Sequence, residues 1–174
     1  TAFPQYAGKT QDYKFYNSVH DFFRTGLVST TSVNVSSSGP NTTFNANYSY
    51  TGDQGFTPNN RVYKNNLGVG GTAKLSNHFT ATGVLNLAIT DMQTPTVGAN
   101  GGGGSADKAS VFGNLFFTPT SINLMGLPFQ NPVDGSSIYY RPTNDIENPR
   151  WAANNNLPRD KVYRAFGRLG LKYD

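Results

Sequence analysis

Residues 160–174, DKVYRAFGRLGLKYD, alternate with a period of two. The odd positions Tyr163, Ala165, Gly167, Leu169, Leu171 and Tyr173 carry no charge, whereas Arg164, Arg168 and Lys172 occupy even positions. Successive side chains of a strand point to opposite faces, so this pattern predicts one apolar face ended by tyrosines and one cationic face. TTFNANYSY (42–50) repeats the pattern, with Phe44, Ala46, Tyr48 and Tyr50 against Asn45, Asn47 and Ser49. VYKNNLGVGGTAKL continues it through Tyr63, Leu67, Val69, Ala73 and Leu75. FTATGVLNLAIT does so through Phe79, Ala81, Leu85, Leu87 and Ile89. From Leu27, LVSTTSVNVSS is rich in β-branched residues and reads as a strand with almost no apolar face.

The five strands are joined unevenly. SGPN and SNH are tight turns, TGDQGFTPNN is a loop by its Gly, Pro and Asn content, and residues 91–160 show little alternation. The chain therefore divides into an irregular segment (1–26), a set of strands and hairpins (27–90), a long loop (91–160) and a last strand (161–174). A short helical turn is expected in SVHDFFRTG, closed by Gly26, and an amphipathic one in KASVFGNLFF. A structureless insert as long as 91–160 is uncommon in a compact domain and is usually functional. Tight turns on one side and long loops on the other are the rhythm of transmembrane barrels. A soluble β-sandwich permits that rhythm without requiring it.

Composition sharpens this choice. Charged residues make up 14% of the chain, against roughly 25% in ordinary soluble domains, and aromatics reach 13%. An outer-membrane barrel has that balance, with polar residues toward its lumen and apolar or aromatic ones toward lipid. Tyr163 and Tyr173 are ten residues apart. A strand tilted near 45° covers roughly 23 Å over that length, close to the apolar band of such barrels. The expected fold is all-β, an antiparallel up-and-down transmembrane β-barrel. Phe44, Phe79 and Tyr173 would form the aromatic girdle beside the short turns, and Tyr50, Tyr63 and Tyr163 the one beside the loops. Tyr48, Leu85, Leu87, Leu169 and Leu171 would face lipid. Asn45, Asn47, Arg164, Arg168 and Lys172 would face the lumen, since a cation at the lipid midplane costs roughly 2–4 kcal/mol. Gly71, Ala73, Ala81, Gly83, Ala165 and Gly167 fall on the lipid row and thin it. An open five-stranded sheet in lipid would leave two unpaired edges, so these strands are expected to belong to a larger barrel.

Other chemistry is sparse. The chain has no Cys, hence no disulfide or thiolate site, and no apolar run long enough for a membrane helix. Its formal charge of +4 is dispersed, which argues against nucleic acid as a partner. Gly8-Lys9-Thr10 lacks the upstream glycine of a phosphate loop, because Phe3 stands there. His20 and His78 are far apart. Asp134, Asp145, Glu147 and Asp160 share the long loop without the spacing of a calcium loop or an identifiable glycosidase pair. The sequons at Asn34, Asn41 and Asn47 fall on or beside the strands, and lumen lining explains Asn34 and Asn47. Tyr139, Tyr140 and Trp151 are candidates for stacking on sugar rings or packing against a partner. No cofactor, metal or catalytic residue is expected, and the protein reads as a non-enzyme. The alternative is a soluble β-sandwich that binds carbohydrate or serves as an adhesin.

The order of motifs resembles a known family. Phe23, Thr25 and Gly26, then Ser38 and Gly39, then Gln54, Gly55 and Phe56 are similar to the start of the barrel, just after the plug domain, in TonB-dependent outer-membrane transporters of the SusC/RagA type. Asn148, Pro149 and Trp151, and the strand end Leu171 to Asp174, resemble a later loop and strand of that family. Ser-Gly-Pro stands at 38–40 where the family has Ser-Gly-Gly. The resemblance implies a barrel of about twenty-two strands. It also implies outer-membrane lipid around the barrel and an extracellular 91–160 loop. A SusD-like surface lipoprotein would act as lid, and glycans or peptides would be imported with energy from TonB through the plug.

Overall fold

The computed structural model describes residue 8 and residues 10–95, 110–139 and 147–173. Five strands form one sheet in the order β1-β2-β3-β4-β5: β1 (Leu27–Ser38), β2 (Thr42–Gln54), β3 (Arg61–Lys74), β4 (Phe79–Gln93) and β5 (Arg159–Tyr173). The fold is an all-β, antiparallel, up-and-down sheet. Among the described residues β1 and β5 are its edges, and no second sheet is present.

Register follows from the turns. Gly39 N donates to Thr42 O at 2.8 Å, which closes the first hairpin and sets Ser38 opposite Thr43. At the next, Leu75 N donates to Phe79 O at 2.8 Å. The pairing then runs Val33–Tyr48–Leu67 and Val35–Ala46–Val69 across three strands, so residues of like character share a face. β2 extends beyond Tyr50 through Thr51, Gly52, Asp53 and Gln54, which sequence assigns to a loop. Ladder bonds to Leu27–Thr30 and Arg61–Lys64 hold these turn-prone residues extended. Similarly, β4 runs on to Gln93, and β5 begins at Arg159. The long connection is therefore shorter at both ends than 91–160.

The chain divides into two compact units. The strands form one; Thr1–Gly26, Gly55–Asn60 and Gln93–Pro158 form the other. The second unit holds the core: Phe22, Val111, Leu115, Leu124, Ala152 and Ala153 are buried together, with Phe23 packed against them. Three short helices supply most of these residues: α1 (Ser18–Phe22), α2 (Val111–Phe117) and α3 (Pro149–Asn155). Each is started by a side-chain cap. Ser110 Oγ accepts from Gly113 N at 3.1 Å, Asn148 Oδ1 from Arg150 N at 3.0 Å and Asn17 Oδ1 from His20 N at 3.4 Å. α1 and α2 fall within the two stretches where helical turns are expected, although α1 ends at Phe22 and not at Gly26. α3 has no apolar period to announce it.

Arg150 ties the long connection together. Its Nη1 donates to the carbonyls of Leu124, Met125 and Leu127 at 3.1, 3.1 and 2.8 Å, and its guanidinium lies 4.4 Å from the Phe129 ring centroid. Arg150→Met removes those bonds and the cation–π contact. The expected cost to this unit is about 2–4 kcal/mol. Hydrogen exchange of residues 124–129 should show it as lost protection, with the strands unaffected.

Candidate functional site

The sheet has two dissimilar faces. One carries Val33, Val35, Phe44, Tyr48, Tyr50, Tyr63, Leu67 and Val69, as the register requires. Side-chain neighbours extend the same face into β4 and β5. A Cβ on Gly83 would meet Leu169 at 3.9 Å, one on Gly167 would meet Leu85 at 3.6 Å, and the Phe79 and Tyr173 rings are 5.8 Å apart. Leu87, Tyr163 and Leu171 are in phase with these residues.

This apolar face is uncovered. Leu169 is 80% exposed, Tyr173 74% and Tyr163 65%. A soluble sandwich would bury such a row in its core, at roughly 1.5–3 kcal/mol per large side chain. The tyrosines mark where charge begins. Between the Tyr63–Tyr163 end and the Phe79–Tyr173 end the face holds no Asp, Glu, Lys or Arg. Beyond it, toward the long connection, Arg61 approaches the Tyr63 ring at 6.0 Å and Lys161 the Tyr163 ring at 5.5 Å. Arg159 Nε donates to Asp91 Oδ1 at 2.8 Å. Tyr50 and Tyr63 stack at 6.3 Å. The polar residue Asn65 falls on this face, and its Oδ1 accepts the Tyr48 hydroxyl at 2.8 Å.

The glycines that thin this face have a local reason. A Cβ on Gly71 would collide with the Thr43 carbonyl oxygen of the neighbouring strand. Gly71, Gly83 and Gly167 floor a shallow apolar hollow of about 630 Å³, with Phe44, Leu85 and Leu169 on its sides.

The opposite face is polar. Asn45 and Asn47 lie on it, with Asn34, Ser49 and Asn66 beside them. Arg164, Arg168 and Lys172 are on the same phase of β5. A hollow of about 440 Å³ spans all five strands, lined by Ser32, Asn34, Asn47, Ser49, Asn66, Asn86 and Phe166 among others. Gly68 is buried at its base, because a Cβ there would collide with Asn47 Oδ1 and stand 3.0 Å from Asn86 Oδ1. Asn66 Nδ2 donates to Ser49 Oγ at 3.3 Å. A second hollow of about 340 Å³ lies along β4 and β5, lined by Thr82, Val84, Arg168, Gly170, Leu171 and Lys172. Asn34 is read as lumen lining from the sequence, whereas Asn66, Asn86 and Phe166 are not among the sequence candidates. Their even or odd phase, matching that of Asn47 and Arg164, is the signal that marks them.

The loop candidates stand elsewhere. Trp151 Nε1 donates to Gly135 O at 2.8 Å, so the indole braces the turn that closes at Gly135, where φ is +75°. Tyr139 is partly buried, and that burial, helped by the Glu147 carboxylate, raises its phenol pKa above the usual value. Tyr140 and Asp145 lie outside the described residues. Asp134 accepts from Ser136 N at 3.0 Å, which lowers its carboxyl pKa and forms a local turn. His20 pairs with Asp21 at 3.0 Å, while His78 lies 6.0 Å from the Tyr173 ring. No group of three or more His, Cys, Asp or Glu able to hold a metal occurs among the described residues.

Fold and faces together define a class: a meander sheet with one uncovered apolar face and one hollowed polar face. No protein-family model matches the chain, and no curated protein matches it. Gly71→Ala should lower the thermal midpoint, by about 1–3 kcal/mol of stability, because the Thr43 carbonyl is backbone and cannot swing aside. Gly170→Ala, whose Cβ meets only Thr82 O at 4.0 Å, should leave that midpoint unchanged.

Proposed function

We propose that these strands are part of the wall of an outer-membrane transport barrel, of the TonB-dependent SusC/RagA type, that imports glycans or peptides. The observation that carries this reading is the uncovered apolar row bounded by tyrosines, with charge confined to its outer margin and to the opposite face. Hydrocarbon is the environment that such a row matches. Aromatic rings favour the interface, where one end is wet and the other apolar.

The dimensions agree with it. β5 has fifteen residues. Such a strand, tilted near 45°, rises roughly 35 Å, more than the apolar band of about 25 Å. The excess lies at the end of Arg159, Asp160 and Lys161, where ions meet water. Among the described residues β1 and β5 are the edges of the sheet, and in this reading they pair with further strands of the barrel, since backbone groups in lipid require partners. In this reading the polar hollows face the conduit, and the 94–158 connection lies outside the cell. There it takes part in substrate capture or meets a SusD-like lipoprotein lid. TonB acts through a plug and not through these strands, and the segment itself performs no catalysis.

Two measurements test the reading. The protein should remain with the outer-membrane pellet after alkaline carbonate washing and enter solution only with detergent. Recovery as a monodisperse, detergent-free monomer would overturn it. Leu169→Arg should block assembly into the membrane, at a cost of roughly 2–4 kcal/mol for a lipid-facing cation. Arg168→Ala should assemble normally, and equal tolerance of both would refute the assigned facing.

A further inference from the structure

The two polar hollows differ in charge, and Phe166 lines the larger one. The larger one offers amides and hydroxyls from Asn34, Asn47, Asn66, Asn86 and Ser32, and no carboxylate or cationic side chain lines it. These groups both donate and accept, as sugar hydroxyls do. Phe166, 63% exposed, adds an apolar platform on which the C–H face of a pyranose can rest. The smaller hollow is basic, lined by Arg168 and Lys172 with Thr82 beside them. On β5 the order is Arg164, Phe166, Arg168, so an arginine is anchored about 7 Å along the strand on either side of Phe166. Among the described residues neither Arg164 nor Arg168 has a hydrogen-bond or ion-pair partner.

The wider charge pattern points the same way. The polar face carries Lys64, Lys74, Arg164, Arg168 and Lys172. Its carboxylates, Asp53 and Asp160, both lie toward the end of the long connection. The half of the face nearer the tight turns is therefore uniformly positive among the described residues.

We infer that this wall is a subsite for an acidic oligosaccharide, with one sugar ring over Phe166 in the amide-lined hollow and the carboxylates of neighbouring sugar units against Arg168 and Lys172. The inference rests on the transport reading and narrows its substrate class. A neutral glycan leaves the guanidinium groups without a counter-ion. An acidic peptide satisfies the cations but does not use the ring of neutral amides, and an extended peptide is better held by a free strand edge or by apolar pockets.

The test is calorimetry on the native protein extracted in detergent, titrated with a tetrauronate, a neutral tetrasaccharide and a tetra-aspartate peptide. The tetrauronate should bind, weaken as salt is raised, and lose roughly tenfold in affinity with Arg168→Gln. Phe166→Ala should weaken it as well, whereas Lys64→Gln, on the same face but outside both hollows, should not. The neutral tetrasaccharide should bind at least about tenfold more weakly. Equal affinity for neutral and acidic sugars, tighter binding of the peptide, or no saccharide binding would overturn the inference. Carbonate fractionation of the same preparation separates the two failures. A protein in the soluble fraction refutes the membrane reading, whereas a membrane-held protein indifferent to uronate refutes only the subsite.

Discussion

The controlling constraint is that one face of the β1–β5 sheet is apolar and nothing among the described residues covers it. Water penalises this in proportion to area, and a cover of other side chains or of hydrocarbon removes the penalty. Most other features of the sheet follow from it. Charge is absent from the row between the tyrosines, Asn65 spends its carbonyl on the Tyr48 hydroxyl, and ions appear only past Tyr63 and Tyr163. An ordinary soluble sheet has no need to exclude charge so sharply from a face open to solvent.

The two compact units are stabilised differently. The unit containing the helices has a small buried cluster, capped helices and a guanidinium that gathers three carbonyls. The strand unit has no buried apolar cluster and is held by its ladders. That asymmetry is sensible if the solvent of the strand unit is not water on both sides. It also accounts for the glycines. Gly71 stands where the backbone of the neighbouring strand comes too close for a Cβ, and the apolar face loses area to that approach.

The polar face takes its meaning from neighbours in space. Asn47 and Asn86 come from different strands, and Gly68 between them is what lets both side chains share one hollow. Phe166 is out of place in a polar phase if judged alone. Set beside amides and flanked along β5 by Arg164 and Arg168, it is the platform of the subsite inferred above. Trp151 moves in the opposite direction. Its N–H is committed to Gly135, so the indole braces its own loop.

What the chain's own order of residues determined was the strands and their two faces. Period two is a local property, and the same alternation that ends in Tyr173 fixes the phase of Leu169 and Arg168 alike. The tight turns were equally legible, because Gly39 and the Ser76–His78 stretch are local signals. Tertiary structure decided what has no local code. Thr51–Gln54 became strand only because flanking strands hold them. α3 formed from a segment without apolar period, started by the Asn148 cap and Pro149 and fixed by burial of Ala152 and Ala153. The larger polar hollow required five strands to be laid side by side, since a cavity is a relation among residues distant in sequence. For the same reason the sequence could place Asn47 and Arg168 on a polar face, but only the assembled sheet could set them around Phe166.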